Sequence, residues 1–264
     1  MRPMDALVTG VSAAGGFVLG DAMEIVVVRL GERRPLDRPW WRCEECEAPA
    51  SGLALVPVAR VLVRHGGCPA CGVRGPHPWR PALLAVVSAL VLGAFAARIG
   101  ADVVLAAYAV FGLSMVAISA VDLERYIIPN RIIYPTLALL IPLFVLASAV
   151  DHSWGSLGRA AIAGAAAFAG FFILHVAVPK GMGFGDVRLA GVIGLTTGWL
   201  GLGHAFVAFF AGCVLGAVIG IAFIVATGGG RKTKIPFGPF LAAGAVFAVV
   251  WGNPVAHALF HHNS

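Results

Sequence analysis

Long apolar runs separated by short polar stretches cover most of the chain. A run of about 20 apolar residues crosses the hydrocarbon layer as a helix, and a helix satisfies its backbone polar groups internally. The pattern predicts eight such helices, at about 6–28, 82–98, 102–121, 132–150, 159–178, 187–201, 204–226 and 237–259. The sixth is short and rich in glycine. Pro81, Pro129, Pro179 and Pro236 fall between the runs, where a residue without an N–H breaks helical continuity. The expected fold class is an all-α membrane protein with about eight transmembrane helices and a small polar insertion between the first two.

Composition agrees with that reading. Of the 264 residues 59% are hydrophobic and only 12% charged, and the mean hydropathy is +0.89. Soluble domains carry roughly a quarter charged residues, so this chain needs lipid as its solvent and membrane lipid as a partner. The net charge of +6 does not signal nucleic acid, because basic and acidic residues are interspersed and no reading motif for DNA or RNA is present. The placement of Lys and Arg instead reads as topology. If the loop at 29–80 is cytoplasmic, all of the nineteen except Arg2, Arg98 and Arg159 fall on the cytoplasmic side. Both termini are then extracytoplasmic. The first run lacks a basic leader and is followed by arginines, so it reads as a membrane helix rather than a cleaved signal. Three units follow: 1–28 as first transmembrane helix, 29–80 as cytoplasmic domain, and 81–264 as a seven-helix unit.

The cytoplasmic loop carries Cys43 and Cys46, then Cys68 and Cys71, as two Cys-x-x-Cys pairs. Two such knuckles offer four thiolates, the tetrahedral set that structural Zn2+ prefers. A cytoplasmic location disfavours disulfides, and no surrounding pattern suggests a thioredoxin-like redox pair. Four protein ligands leave no open position, so the zinc is expected to serve folding. Cys213 stands alone in an apolar run and reads as packing.

Acidic residues beside membrane helices are costly and default to function. Asp122 ends the third predicted helix and Asp186 opens the sixth, and the topology sets both at the cytoplasmic face. Hydrolysis of a peptide by carboxylates needs such a pair, one ionised to activate water and one protonated to polarise the carbonyl. Gly181, Gly183 and Gly185 alternate just before Asp186, where bare backbone lets an extended substrate approach closely. A phosphate-cradling loop fits poorly, since no Gly-Lys-Ser/Thr follows. Asp21 and Glu24 share one face of the first helix, and interfacial placement accounts for them equally well.

These motifs in order resemble the bacterial prepilin peptidase family, membrane aspartic proteases with a Gly-x-Gly-Asp signature. Asp122 with Ile128-Pro129 matches its first catalytic motif. Gly181-Met-Gly-Phe-Gly-Asp186-Val-Arg-Leu189 matches its second, with Arg188 where lysine is usual. Ile235-Pro236-Phe237-Gly238-Pro239-Phe240-Leu241 matches its C-terminal motif, which adds Pro236 and Gly238 to the expected substrate-binding residues. The resemblance implies a multi-pass protein of the bacterial inner membrane that cleaves type IV prepilin or pseudopilin precursors after a glycine, at the cytoplasmic face. It also implies methylation of the new N-terminus from S-adenosylmethionine, where that activity is retained. Here Glu24 stands where the family has Asn, and Leu84 where it has Glu, so methyl transfer is expected to be absent or weak. Two other readings compete: a proton-coupled transporter using the two aspartates as a relay, and a catalytically inactive scaffold for pilus assembly. The transporter reading predicts related halves, and no half-to-half repeat is visible in the sequence.

Overall fold

The computed structural model describes residues 3–31, 46, 48, 70–71, 79–178, 182–227 and 236–260. Among them run the helices α1 (Pro3–Gly31), α2 (Arg80–Ile99), α3 (Leu105–Arg125), α4 (Asn130–Asp151), α5 (Trp154–Ala177), α6 (Phe184–Leu200), α7 (Leu202–Thr227) and α8 (Gly238–Phe260). No strand occurs among the described residues. Six of these helices contain stretches long and apolar enough to cross a membrane: α1 to α5, and α7. The sixth helix has only 17 residues, and the apolar stretch of α8 counted with it, Gly238–Gly252, is also shorter. The expected zinc-binding insertion falls largely outside the described residues, Cys43 and Cys68 included, while Cys46 and Cys71 are exposed.

Each predicted helix is present, with shifted ends that have local causes. The third begins at Leu105, not 102, because the Asp102 carboxylate accepts the Val104 N–H at 2.9 Å and holds the preceding residues in a turn. The fifth begins at Trp154, ahead of the strongly apolar run. The sixth begins at Phe184, three residues early, for a reason that belongs to the site below.

Packing follows from two kinds of interior. Three helix couples, α1 with α2, α5 with α6 and α7 with α8, close on small residues. A Cβ added at Gly194 would lie 2.6 Å from the Ala163 carbonyl oxygen, and one at Gly244 would lie 2.4 Å from that of Ala208. Between the couples, α3 borders α1, α2, α4 and α8 and supplies large buried side chains, among them Tyr108, Phe111 and Met115. The Tyr108 hydroxyl donates to the Thr196 carbonyl at 2.8 Å, tying α3 to α6. Phe144 of α4 stacks on Trp199 of α6 with centroids 4.8 Å apart. Buried Arg80, at the start of α2, pairs with Glu124 at 2.7 Å and so fixes the end of α3.

Pro135 and Pro142 both lie inside α4. Each removes a helical donor, so the carbonyls of Arg131 and Ala138 lose their usual partners four residues on. Because successive helices run up and down, the end of α3 and the starts of α4, α6 and α8 gather at one end of the bundle. That end holds the candidate site.

Candidate active site

Asp122 occupies the last turn of α3 and is 4% exposed. Tyr126 caps that helix in the left-handed conformation (φ 55°), its N–H donating to the Asp122 carbonyl at 2.9 Å. The chain then runs through Ile127 and Ile128 to Pro129, whose extended backbone (φ −72°, ψ 128°) opens α4. This short excursion carries Ile128 across to α6, where a Cβ at Gly185 would lie 2.9 Å from the Ile128 Cβ. Only a glycine permits that approach without displacement.

Asp186 is the third residue of α6. Gly183 is the extended N-cap, its N–H donating to Asp186 Oδ2 at 3.1 Å while the Asp186 N–H donates back to the Gly183 carbonyl at 3.1 Å. This reciprocal cap satisfies donors that a helix start otherwise leaves free, and it explains why the helix begins before 187. Asp122 is held from a different direction. The N–H of Gly238, first residue of α8, donates to Asp122 Oδ2 at 3.0 Å. A Cβ at Gly238 would sit 2.8 Å from that same oxygen.

Both aspartates line one open cleft with Tyr126, Ile127, Ile128, Asn130, Gly183, Gly185 and Arg188. Each carboxylate accepts a backbone N–H through Oδ2, from Gly183 for Asp186 and from Gly238 for Asp122. Two carboxylates sharing one cleft favour a state with a single proton between them. One ionised and one protonated carboxyl beside an open cleft can activate a water and polarise a carbonyl together.

The other expected residues fall variously. Gly183 and Gly185 line the cleft, and Gly238 meets Asp122 directly; Pro236 precedes α8 and is half-buried; Gly181 lies outside the described residues. Asp21 is buried in α1 and does not line the cleft. His175 donates from Nδ1 to the Met182 carbonyl at 2.9 Å, closing the turn between α5 and α6. Sequence reasoning gave no role to Tyr126, Asn130 or Phe184. Arg188 donates to the Asn130 side chain and lies 4.4 Å over the Phe184 ring. The pairing of Asn130 with Arg188 was hidden because nothing in one sequence says that two polar residues from separate motifs meet.

Comparison with known proteins follows the same line. Residues 109–221 match the model of the Type IV leader peptidase family, and residues 15–99 match the bacterial Peptidase A24 N-terminal domain. A prepilin leader peptidase/N-methyltransferase of Bacillus subtilis (strain 168) is 29% identical over 91% of this chain and 93% of its own length. One from Stutzerimonas stutzeri is 28% identical over 82% of this chain and 73% of its own length. Another, from Burkholderia pseudomallei (strain K96243), is 30% identical over 80% of this chain and 67% of its own length. No solved structure matches the chain. With both parts of the chain matched in order, and the two aspartates of its signature motifs facing one cleft, the chain belongs to the type IV leader peptidase family.

Proposed function

We propose that this protease cleaves the leader peptides of type IV prepilin or pseudopilin precursors after a glycine, with Asp122 and Asp186 as the catalytic pair. The observation that carries the reading is the shared cleft, in which each aspartate is anchored by a glycine N–H. In the mechanism, the ionised carboxylate takes a proton from water as the water attacks the scissile carbonyl. The protonated partner donates a hydrogen bond to the carbonyl oxygen as it becomes negative. Collapse of the tetrahedral intermediate returns a proton to the leaving amine. The glycines at 181, 183 and 185, with Pro236 and Gly238, would keep bulk away from the extended peptide and the carboxylates.

Further parts of the reading concern setting. All eight helices would span the bacterial inner membrane, with the cleft at the cytoplasmic face as the Lys and Arg distribution suggests. Cys43, Cys46, Cys68 and Cys71 would hold Zn2+, and their two thiol pairs are the donor set suited to a closed structural site. Methyl transfer from S-adenosylmethionine would be weak. Of the two departures, Leu84 lies at the close crossing of α1 and α2, where a Cβ at Gly20 would meet its carbonyl oxygen at 2.5 Å.

The test is co-expression with a candidate prepilin and mass measurement of the product's N-terminus. Asp122→Asn and Asp186→Asn should each abolish processing while the protein remains inserted; near-normal cleavage by either would remove the aspartic mechanism, and the same spectra report methylation. For the metal, one zinc per chain is expected, lost in Cys43→Ser or Cys71→Ser. Zinc-free protein purified without chelator would refute that part alone.

A further inference from the structure

A run of aromatic rings leads from the cleft onto an exposed flank of the bundle. Phe168 and Phe172 of α5 stack with centroids 6.2 Å apart and planes at 5°. Both meet Phe184 of α6 edge-on, at 6.4 and 6.3 Å. Phe184 lies under the Arg188 guanidinium, which also stands 5.9 Å from the Tyr134 ring of α4. The run therefore crosses three helices, and its members stay open: Phe168 is 39% exposed, Phe172 43% and Tyr134 55%. Arg188 belongs to both surfaces, since it also lines the cleft that holds the aspartates.

We propose that Phe168, Phe172, Phe184 and Tyr134, centred on Arg188, form a shelf that docks an apolar helical segment of the precursor, continuous with the peptide in the cleft. The proposal rests on the peptidase reading and names where the rest of the substrate lies. A peptide that leaves the cleft past Arg188 meets this shelf next. At that depth in lipid its backbone polar groups are satisfied only in a helix, and such a helix presents apolar side chains to whatever it touches. Flat aromatic faces give large contact area at little cost in rotamer entropy. Arg188 is pinned by Asn130 and Phe184, and its remaining N–H groups, without other hydrogen-bond partners among the described residues, suit the carbonyls of the extended peptide at the junction. Aromatic faces, a fixed cation and continuity with the cleft distinguish this patch from ordinary lipid-facing surface.

The experiment compares two substrates: a membrane-embedded precursor and a short soluble peptide that spans the cleavage site without the apolar segment. In the full-length enzyme in vesicles, Phe168→Ala/Phe172→Ala should raise KM for the embedded precursor about tenfold or more. The turnover number and the cleavage of the short peptide should stay within about twofold. The stacked pair Phe206 and Phe210 on α7 is more exposed still, at 50% and 56%, but neither ring lines the cleft, and its double alanine variant should match wild type. A photoreactive phenylalanine at 172 should cross-link the precursor, and one at 210 should not. Unchanged KM in the shelf variant, or cross-linking at 172 to lipid alone, would overturn the shelf while leaving the peptidase reading intact. Normal cleavage by Asp186→Asn would overturn the peptidase reading instead, and the cross-link reports on docking without requiring cleavage.

Discussion

Asp122 and Asp186 carry the same group and each takes a glycine N–H on Oδ2, yet the two settings are built differently. Asp186 is held by its own turn: the donor, Gly183, lies three residues away, and the carboxylate is half-buried. Asp122 is buried, and its donor Gly238 is 116 positions away at the start of another helix. One half of the pair is therefore a local property of a helix cap. The other exists only when α8 is seated against α3. A cap forms wherever its few residues are helical, whereas the Asp122 anchor depends on the whole bundle.

The largest expected effect treats the pair as a unit. Asp122→Ala and Asp186→Ala should each lower the cleavage rate by about 10²- to 10⁴-fold. The double variant should be no worse than the poorer single one, because residues acting together are non-additive. Independent, multiplying losses would show that the two aspartates do not share one step. Next in size is a contrast between the glycine donors. Gly238→Ala puts a Cβ 2.8 Å from the carboxylate oxygen, against 3.3 Å for Gly183→Ala. The first should lower the rate about tenfold or more and the second less than about threefold, on the scale of about 1–3 kcal/mol for overpacked interiors. Equal losses would erase the distinction between tertiary and local anchoring. A modest effect is expected from Arg188→Lys, which keeps the charge but gives up the planar fork on Phe184 and Asn130. A loss of about two- to fivefold in steady-state cleavage is expected, and an unchanged rate would show that charge alone suffices there.

The same contrast explains what the sequence disclosed. Hydropathy located every helix among the described residues, because each is built on a run of apolar residues. It misplaced ends where polar contacts decide them. Asp102 delays α3 by taking the Val104 N–H, and the reciprocal cap of Gly183 and Asp186 starts α6 inside the glycine run, ahead of the expected start at 187. The aspartates were legible as costly acids at helix ends. Their anchors were not equally so: Gly183 sits in the same motif as Asp186, but no periodicity joins Gly238 to Asp122. Tyr126 was invisible for another reason. A left-handed non-glycine residue is set by the turn it must complete, and tyrosine carries no sequence signal for that conformation.

The prolines of α4 bear on time rather than on geometry. Without helical donors to the carbonyls of Arg131 and Ala138, α4 bends at lower cost than an uninterrupted helix. It also carries Tyr134, one end of the aromatic run, while the opposite end rides on α5, which is locked to α6 along a seam of small residues. A bulky guest arriving from the lipid would thus find one yielding jamb and one rigid jamb. Opening would fall to α4 on the microsecond-to-millisecond scale of helix motions, and admission would be timed by a helix that bears neither carboxylate.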